Sequence, residues 1–312
     1  MWKESQTLLE IGEEQKGSPS LLSMTRSPAF WQKAWNEVLH TSFNARRRRD
    51  VSMLDFWNRY ARRMARQTQE QHTAKRVKKV MEWLSVQDVE IQGKEILDIG
   101  AGTGTFTLPF LEQGASVTAL EPAGAVMEHL VMEVEKKDYR DITYLETPWE
   151  KIEPHASGLA DKFDLVFASL VPGIRNTETL EHMITASRKW CFLCAFAGKR
   201  ASTARDELWQ MLMGEPMPLP EHEVIVPLNY LYASGYTPSL EVWNEAWVEE
   251  HPGTDSVEAL CDYFNNFLQI TPSVKQIITG YVEQRLVNGL FREPYKARLG
   301  MILWSVDSRW DT

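Results

Sequence analysis

Glu95-Ile96-Leu97-Asp98-Ile99-Gly100-Ala101-Gly102-Thr103-Gly104 joins a short apolar run to a turn with glycine at every second position. The first five residues read as a buried strand, and the glycine turn hands the chain to a helix reaching about Gln113. The same alternation continues toward the C-terminus. Ser116–Leu120 is a second strand, followed by a helix over 123–137; Asp141–Leu145, Phe163–Ala168 and Trp190–Ala197 are the third, fourth and fifth. Strands alternating with helices at this spacing predict an α/β fold with a doubly wound, mainly parallel, Rossmann-like sheet of seven strands. Ligands of such a sheet bind above the carboxyl ends of the first strands, where the strand order reverses. Beyond Gly198 the pattern gives a helix over 203–213, a loop with Pro216, Pro218 and Pro220, a strand near 240–247, helices over 255–268 and 273–288, and a last strand near 299–306.

Toward the N-terminus the texture is helical. Phe30, Trp31, Trp35, Val38 and Leu39 recur at three- and four-residue spacing, as do Leu54, Trp57, Tyr60, Ala61 and Met64, so two amphipathic helices flank Arg46-Arg47-Arg48-Arg49. A third spans about 70–86. The expected organisation is a loosely ordered lead-in over 1–28, an N-terminal helical extension over 29–88 acting as a lid, and a core over 89–312. That core carries an accessory segment at 214–236 and a helical insert at 255–289 before the last strand.

With 43% hydrophobic and 25% charged residues, the 312-residue chain has a globular composition, which excludes a mostly disordered or collagen-like protein. Its apolar runs stop far short of the roughly 18 residues a membrane helix needs, so no membrane partner is expected. No secretory pattern opens the sequence, and an odd three cysteines argue against a disulfide framework, so the expected location is cytoplasmic. Charge is uneven: residues 1–83 carry 16 Lys and Arg against 9 Asp and Glu, and the remainder 18 against 34. The arginine run is therefore either a solvated or internally paired face, or a binding patch for an anionic partner. Five tryptophans (Trp2, Trp31, Trp35, Trp57, Trp83) fall in the same basic head.

Glycines at a strand-to-helix turn let backbone approach a ligand closely, and an acidic residue about 20 positions on accepts the hydroxyls of a ribose. Here that residue is Glu121, 21 positions after Gly100. A dinucleotide fingerprint has a further glycine where this chain has Thr105, which argues against a pyrophosphate-containing cofactor.

Asp98-Ile99-Gly100-Ala101-Gly102-Thr103-Gly104 with Glu121 resembles the first two motifs of class I S-adenosylmethionine-dependent methyltransferases. The likeness extends to Glu146-Thr147-Pro148-Trp149 after the third strand, to Phe163-Asp164-Leu165-Val166 in the fourth, and to the aromatic helix Phe56-Trp57-Asn58-Arg59-Tyr60-Ala61. It covers about 55–200. The resemblance implies S-adenosylmethionine as cofactor, S-adenosylhomocysteine as product, and contacts from Gly100, Ala101, Gly102 and Thr103 to the methionine part and ribose. It implies that Asp98 holds the amino group, directly or through water, that Glu121 binds the ribose hydroxyls, that Pro122 packs on the adenine, and that Thr147, Pro148 and Trp149 border it. Ser169 and Leu170 would line the sulfonium side, and Tyr60 would close over the cofactor. Plainer readings stand beside these: Asp98 as a helix-start residue, Glu121 as a solvated strand end, Trp149 as a core plug.

Methyl transfer from a sulfonium is an in-line displacement whose catalysis rests on alignment, so it names no obligatory catalytic residue. His129, His155, His182, His222 and His251 share no phrase that marks a base. The loop Ser169-Leu170-Val171-Pro172-Gly173-Ile174 lacks the Asp/Asn-Pro-Pro-aromatic phrase of enzymes that methylate nucleic-acid amino groups, so nucleic acid is not the expected partner. Cys191 and Cys194, three apart on a strand, face opposite sides and are read with Cys261 as core; no metal is expected. Trp57, Tyr230 and Tyr232 are the candidate substrate contacts within a wider aromatic set (Trp31, Trp35, Tyr60, Tyr236) that serves either pocket or packing. The expected function is methyl transfer to a small molecule; the alternatives are an RNA or protein methyltransferase using the basic head, and a non-catalytic S-adenosylmethionine-binding protein.

Overall fold

The computed structural model describes residues 20–64, 70–198, 200–218 and 223–310, with the side chains of 21, 43, 44, 60–64 and 70–72 also outside the description. Most of the expected lead-in, the side chain of Tyr60, Pro220 and His222 thus lie outside the described residues. Among the described residues four helices precede the first strand: α1 (Leu21–Thr25), α2 (Pro28–Thr41), α3 (Met53–Met64) and α4 (Glu70–Val86). α2 starts on Pro28, whose missing N–H is one that no first-turn residue bonds within a helix.

The alternating half runs β1 (Glu95–Ile99), α5 (Thr107–Glu112), β2 (Ser116–Leu120), α6 (Gly124–Lys136), β3 (Ile142–Leu145), β4 (Phe163–Ser169), α7 (Thr177–Ala186) and β5 (Ser187–Phe196). Then come β6 (Ala201–Ser202), α8 (Thr203–Met213), α9 (Ile225–Ala233), β7 (Ser239–Pro252), α10 (Gly253–Phe264), α11 (Pro272–Glu283), β8 (Leu286–Val287) and β9 (Leu290–Ser305). The long strands lie in the order β3-β2-β1-β4-β5-β9-β7. β1 to β5 are parallel, and β9 is antiparallel to both neighbours. These are the seven strands the sequence predicts; β6 and β8 add two residues each along β9. The order reverses between β1 and β4, which opens a crevice above their carboxyl ends.

Both faces of the sheet are covered, as near-continuous apolar strands require. Leu97, Ile99, Val166, Cys191 and Leu193 face one core together with Trp35 and Tyr230. Ile96, Leu165, Phe167, Phe192 and Cys194 face the other with Trp83, Phe110 and Leu130. Phe167 and Phe192 stack across β4 and β5 at 4.4 Å and 6°. Cys191 and Cys194 thus fall on opposite faces, and burial pushes the Cys194 thiol up to about 12.

β7 and β9 run longer than their sequence predicts, because past the end of β5 β9 alternates buried and exposed residues and β7 half-buried and exposed ones. The ribbon they form carries a third core, in which Phe291 meets Leu208 and Trp209 of α8, Leu260 and Phe264 of α10 and Ile278 of α11. Glu293 is buried there; it accepts a hydrogen bond from Ser202 and faces Arg205 Nε at 3.7 Å. α7, α9 and the earlier end of α11 depart from the expected element list.

The basic head docks on the rest of its own chain. Trp57 of α3 packs on Ala123 and Val126, and Asn58 Oδ1 accepts from the backbone N–H of Ala125 at 3.1 Å. Arg46 pairs with Glu215 at 3.3 Å. Arg47 Nη2 donates to Asn266 Oδ1 at 2.6 Å. The Arg48 backbone N–H donates to Asn266 O at 2.8 Å, and its guanidinium reaches Asn265. Of the readings open for this run, three of its four arginines take the internally paired one.

Candidate active site

The glycine loop is pinned before any ligand is considered: the N–H groups of Gly100 and Ala101 both donate to Leu120 O, at 2.7 and 3.0 Å. Gly100 and Gly102 have φ of 69° and 58°, the left-handed region that glycine enters without penalty. A Cβ on Gly100 would also stand 2.7 Å from Val171, so bare backbone is required by conformation and by space. Leu170 turns the chain at φ 57° after β4, with its N–H on Cys194 O, and brings Val171 to Pro172 across from that backbone. A left-handed leucine is strained, and such strain concentrates at ligand sites.

Glu121, at the end of β2, is buried, and burial raises its carboxyl above the usual range. It accepts from the N–H groups of Gly102 at 3.2 Å and Ala123 at 2.9 Å, so it is no solvated strand end. Asp98 is fully enclosed, and Thr107 Oγ1 donates to it at 2.6 Å. Desolvation, with the nearby Glu121 charge adding to it, pushes its carboxyl up to about 7. It sits behind the loop at the start of α5, the arrangement of a helix-start residue.

These loops and the head enclose one cavity of about 810 Å³. Of the residues singled out in the sequence, Gly100, Gly102, Thr103, Glu121, Pro122, Pro148, Trp149, Leu170 and Trp57 line it. Ala101 lies buried beneath the loop, and Thr147 and Ser169 stand outside the lining. Trp149 combines two readings: its indole is 1% exposed and donates to Thr179 O at 2.9 Å as a core plug, while one edge reaches the cavity. Tyr230 and Tyr232 are not brought there. Tyr230 is buried in the core with its hydroxyl on Glu181, and Tyr232 is 73% exposed. Trp31, Trp35 and Tyr236 also serve packing. None of His129, His155, His182 and His251 lines the cavity.

Sequence reasoning missed the opposite wall, made of Leu39, Arg47, Met53 and Leu54 from the head and Arg175 after β4. Only the placement of an aromatic helix and of the loop after β4 hinted at it. Among the described residues no group of His, Cys, Asp and Glu is arranged to hold a metal ion, and no helix is long and apolar enough to cross a membrane.

A doubly wound sheet with a pinned glycine loop at its switch point and a buried carboxylate on the next strand defines a nucleoside-type cofactor-binding enzyme of the α/β class. Residues 96–191, which span β1 to β5, match the family profile described as a methyltransferase domain. The matched segment holds the glycine loop and Glu121, so residues 96–191 are a methyltransferase domain, and the chain is similar to S-adenosylmethionine-dependent methyltransferases. It is 26% identical over 238 residues to an uncharacterised protein of Haemophilus influenzae, covering 71% of this chain and 80% of that one. Among solved structures it is similar to the YcgJ protein of Bacillus subtilis, at 14% identity with a TM-score of 0.48 over 73% of this chain and 97% of that one. It is also similar to magnesium protoporphyrin IX methyltransferase of Synechocystis PCC 6803 with bound S-adenosylhomocysteine, at 14% identity with a TM-score of 0.43 over 86% and 93%.

Proposed function

We propose that the chain transfers a methyl group from S-adenosylmethionine to a small-molecule acceptor. The observation that carries this reading is the enclosure of the glycine loop and Glu121 in one cavity whose far wall is built by the protein's own head. The arginines that would make a nucleic-acid patch are engaged by Glu215, Asn265 and Asn266 instead. When bound, the cofactor supplies an electrophilic methyl carbon, to which an acceptor lone pair bonds as the carbon–sulfur bond breaks with its electrons passing to sulfur.

The residues present fit that cofactor. Gly100 and Gly102 offer bare backbone, with Ala101 and Thr103, to its methionine part and ribose. Glu121 is a buried acceptor at the end of β2 for the ribose hydroxyls, and its two backbone bonds hold it in place. Pro122, Pro148 and Trp149 border the adenine, with Thr147 set back outside the lining. Leu170 lies at the sulfonium end, with Ser169 set back outside the lining, and Tyr60 belongs to α3. Asp98 contributes negative charge behind the loop, toward the amino group. No base is assigned, and alignment of acceptor and methyl group in the cavity supplies the rate enhancement. Cytoplasmic location belongs to the same reading.

The test is transfer of labelled methyl from S-adenosylmethionine to the small-molecule, RNA and protein fractions of a cell extract. Label in the small-molecule fraction supports the reading; label confined to RNA or protein defeats it. Binding of the cofactor with no label in any fraction would leave a non-catalytic binding protein.

A further inference from the structure

The cavity carries charge that cofactor binding leaves unexplained. Arg47, Lys151 and Arg175 line it against two carboxylates, Glu121 and Glu150. Glu121 is committed to the N–H groups of Gly102 and Ala123. Arg175 stands between β4 and α7. Its backbone N–H donates to Thr179 Oγ1 at 3.0 Å, but among the described residues its guanidinium has no ion pair and no hydrogen bond.

Arg47 is held in place from behind. Its Nη2 donates to Asn266 Oδ1, and its guanidinium lies 5.7 and 6.0 Å from the ring centres of Phe56 and Phe267. Asn266 is 1% exposed, and its Nδ2 donates to the carbonyls of Asp262 and Tyr263, which turns its oxygen toward Arg47. A long side chain fixed this way loses little entropy when it receives a ligand. Leu39, Leu54, Trp57 and Pro172 supply an apolar wall in the same cavity. A bound sulfonium adds positive charge to the space, and a cationic acceptor there would meet a net excess of like charge.

We propose that the acceptor is a small organic anion, an apolar body bearing a carboxylate or phosphate, whose charged end is taken by Arg175 and Arg47. This rests on the reading of the cavity as the methyl-transfer site. The experiment titrates the S-adenosylhomocysteine-loaded protein with four probes of like body: 3-phenylpropanoate, phenyl phosphate, 3-phenylpropanamide and 3-phenylpropylamine, followed by ligand-observed NMR. At least one anion is expected to bind on the order of tenfold tighter than the amide, with the amine weakest. The two anions distinguish carboxylate from phosphate. Arg175→Ala should erase the preference, and Arg47→Ala should reduce it. Arg292→Ala, at an exposed arginine paired with Glu250, should retain it. The proposal is overturned if amide or amine binds as well as the anions, if no probe binds, or if the preference survives Arg175→Ala. Failure of the protein to take up S-adenosylhomocysteine in a titration without probes would instead defeat the underlying reading.

Discussion

The two walls of the cavity are made of different material. The sheet wall is backbone and short, buried acids: Gly100 and Gly102 in left-handed conformations, Glu121 on two N–H groups, Asp98 on Thr107. The head wall is long side chains on a separate set of helices and the loop between them, with Arg47 steered by Asn266 and Trp57 by Ala123 and Val126. Backbone geometry cannot be changed without refolding the loop, whereas side chains such as Arg47 and Trp57 can be exchanged one at a time. In the proposed function the cofactor belongs to the first wall and the acceptor to the second, and the difference in material separates the two roles.

The comparison breaks most sharply at Gly100. Gly100→Val places a side chain at φ 69° and 2.7 Å from Val171, so cofactor affinity should fall by about 3 kcal/mol or more, roughly a hundredfold, with the circular dichroism spectrum kept. Calorimetry checks it; unchanged affinity would mean that the cofactor does not approach this backbone. Glu121→Ala should weaken binding by about 1–3 kcal/mol through a lost charge-assisted hydrogen bond. Equal affinity would move the ribose elsewhere.

A pH series sharpens the role of Asp98. Its carboxyl is raised to about 7 in the folded chain, so between about pH 4 and 7 the folded state holds more protons than the unfolded one. Stability of the cofactor-free protein should therefore decline as pH rises through that window and level off above it. A cationic ligand favours the ionised acid, so cofactor affinity should run the other way, falling as pH drops below about 7. Asp98→Asn should flatten both slopes; a wild type flat from pH 6 to 8 would remove Asp98 from either role.

The smallest effect belongs to the head. Asn266→Ala removes the acceptor of Arg47 and should lower the melting temperature by about 2–4 °C. Cofactor affinity should remain within about twofold. A large loss of cofactor affinity would show that the two walls act as one.

The sheet wall was legible in the sequence because its chemistry is local: Asp98 to Gly104 and Glu121 lie at fixed spacings on adjacent strands. The head wall was not, since Leu39, Arg47, Leu54 and Arg175 meet only through tertiary docking, and no short spacing relates them. α9 was hidden because Ile225 to Ala233 is apolar nearly throughout and carries Pro227 in its first turn, so it shows no helical period. The ribbon extensions of β7 and β9 were hidden for a different reason. Glu245, Glu249 and Glu293 occupy inward positions and Pro294 lies within β9, and both features argue against a strand in the sequence; in the fold α8 and Arg205 cover the inward face and Pro294 pairs with Val248. Tyr230 and Tyr232 misled because aromatic residues near a loop look the same whether they face a core, solvent or a cavity.

Calorimetric titration of S-adenosylhomocysteine into the folded wild-type chain tests the central claim most directly. One molecule bound per chain, with the affinity gone in Gly100→Val, is the predicted result. A folded chain that takes up neither S-adenosylhomocysteine nor S-adenosylmethionine would contradict it.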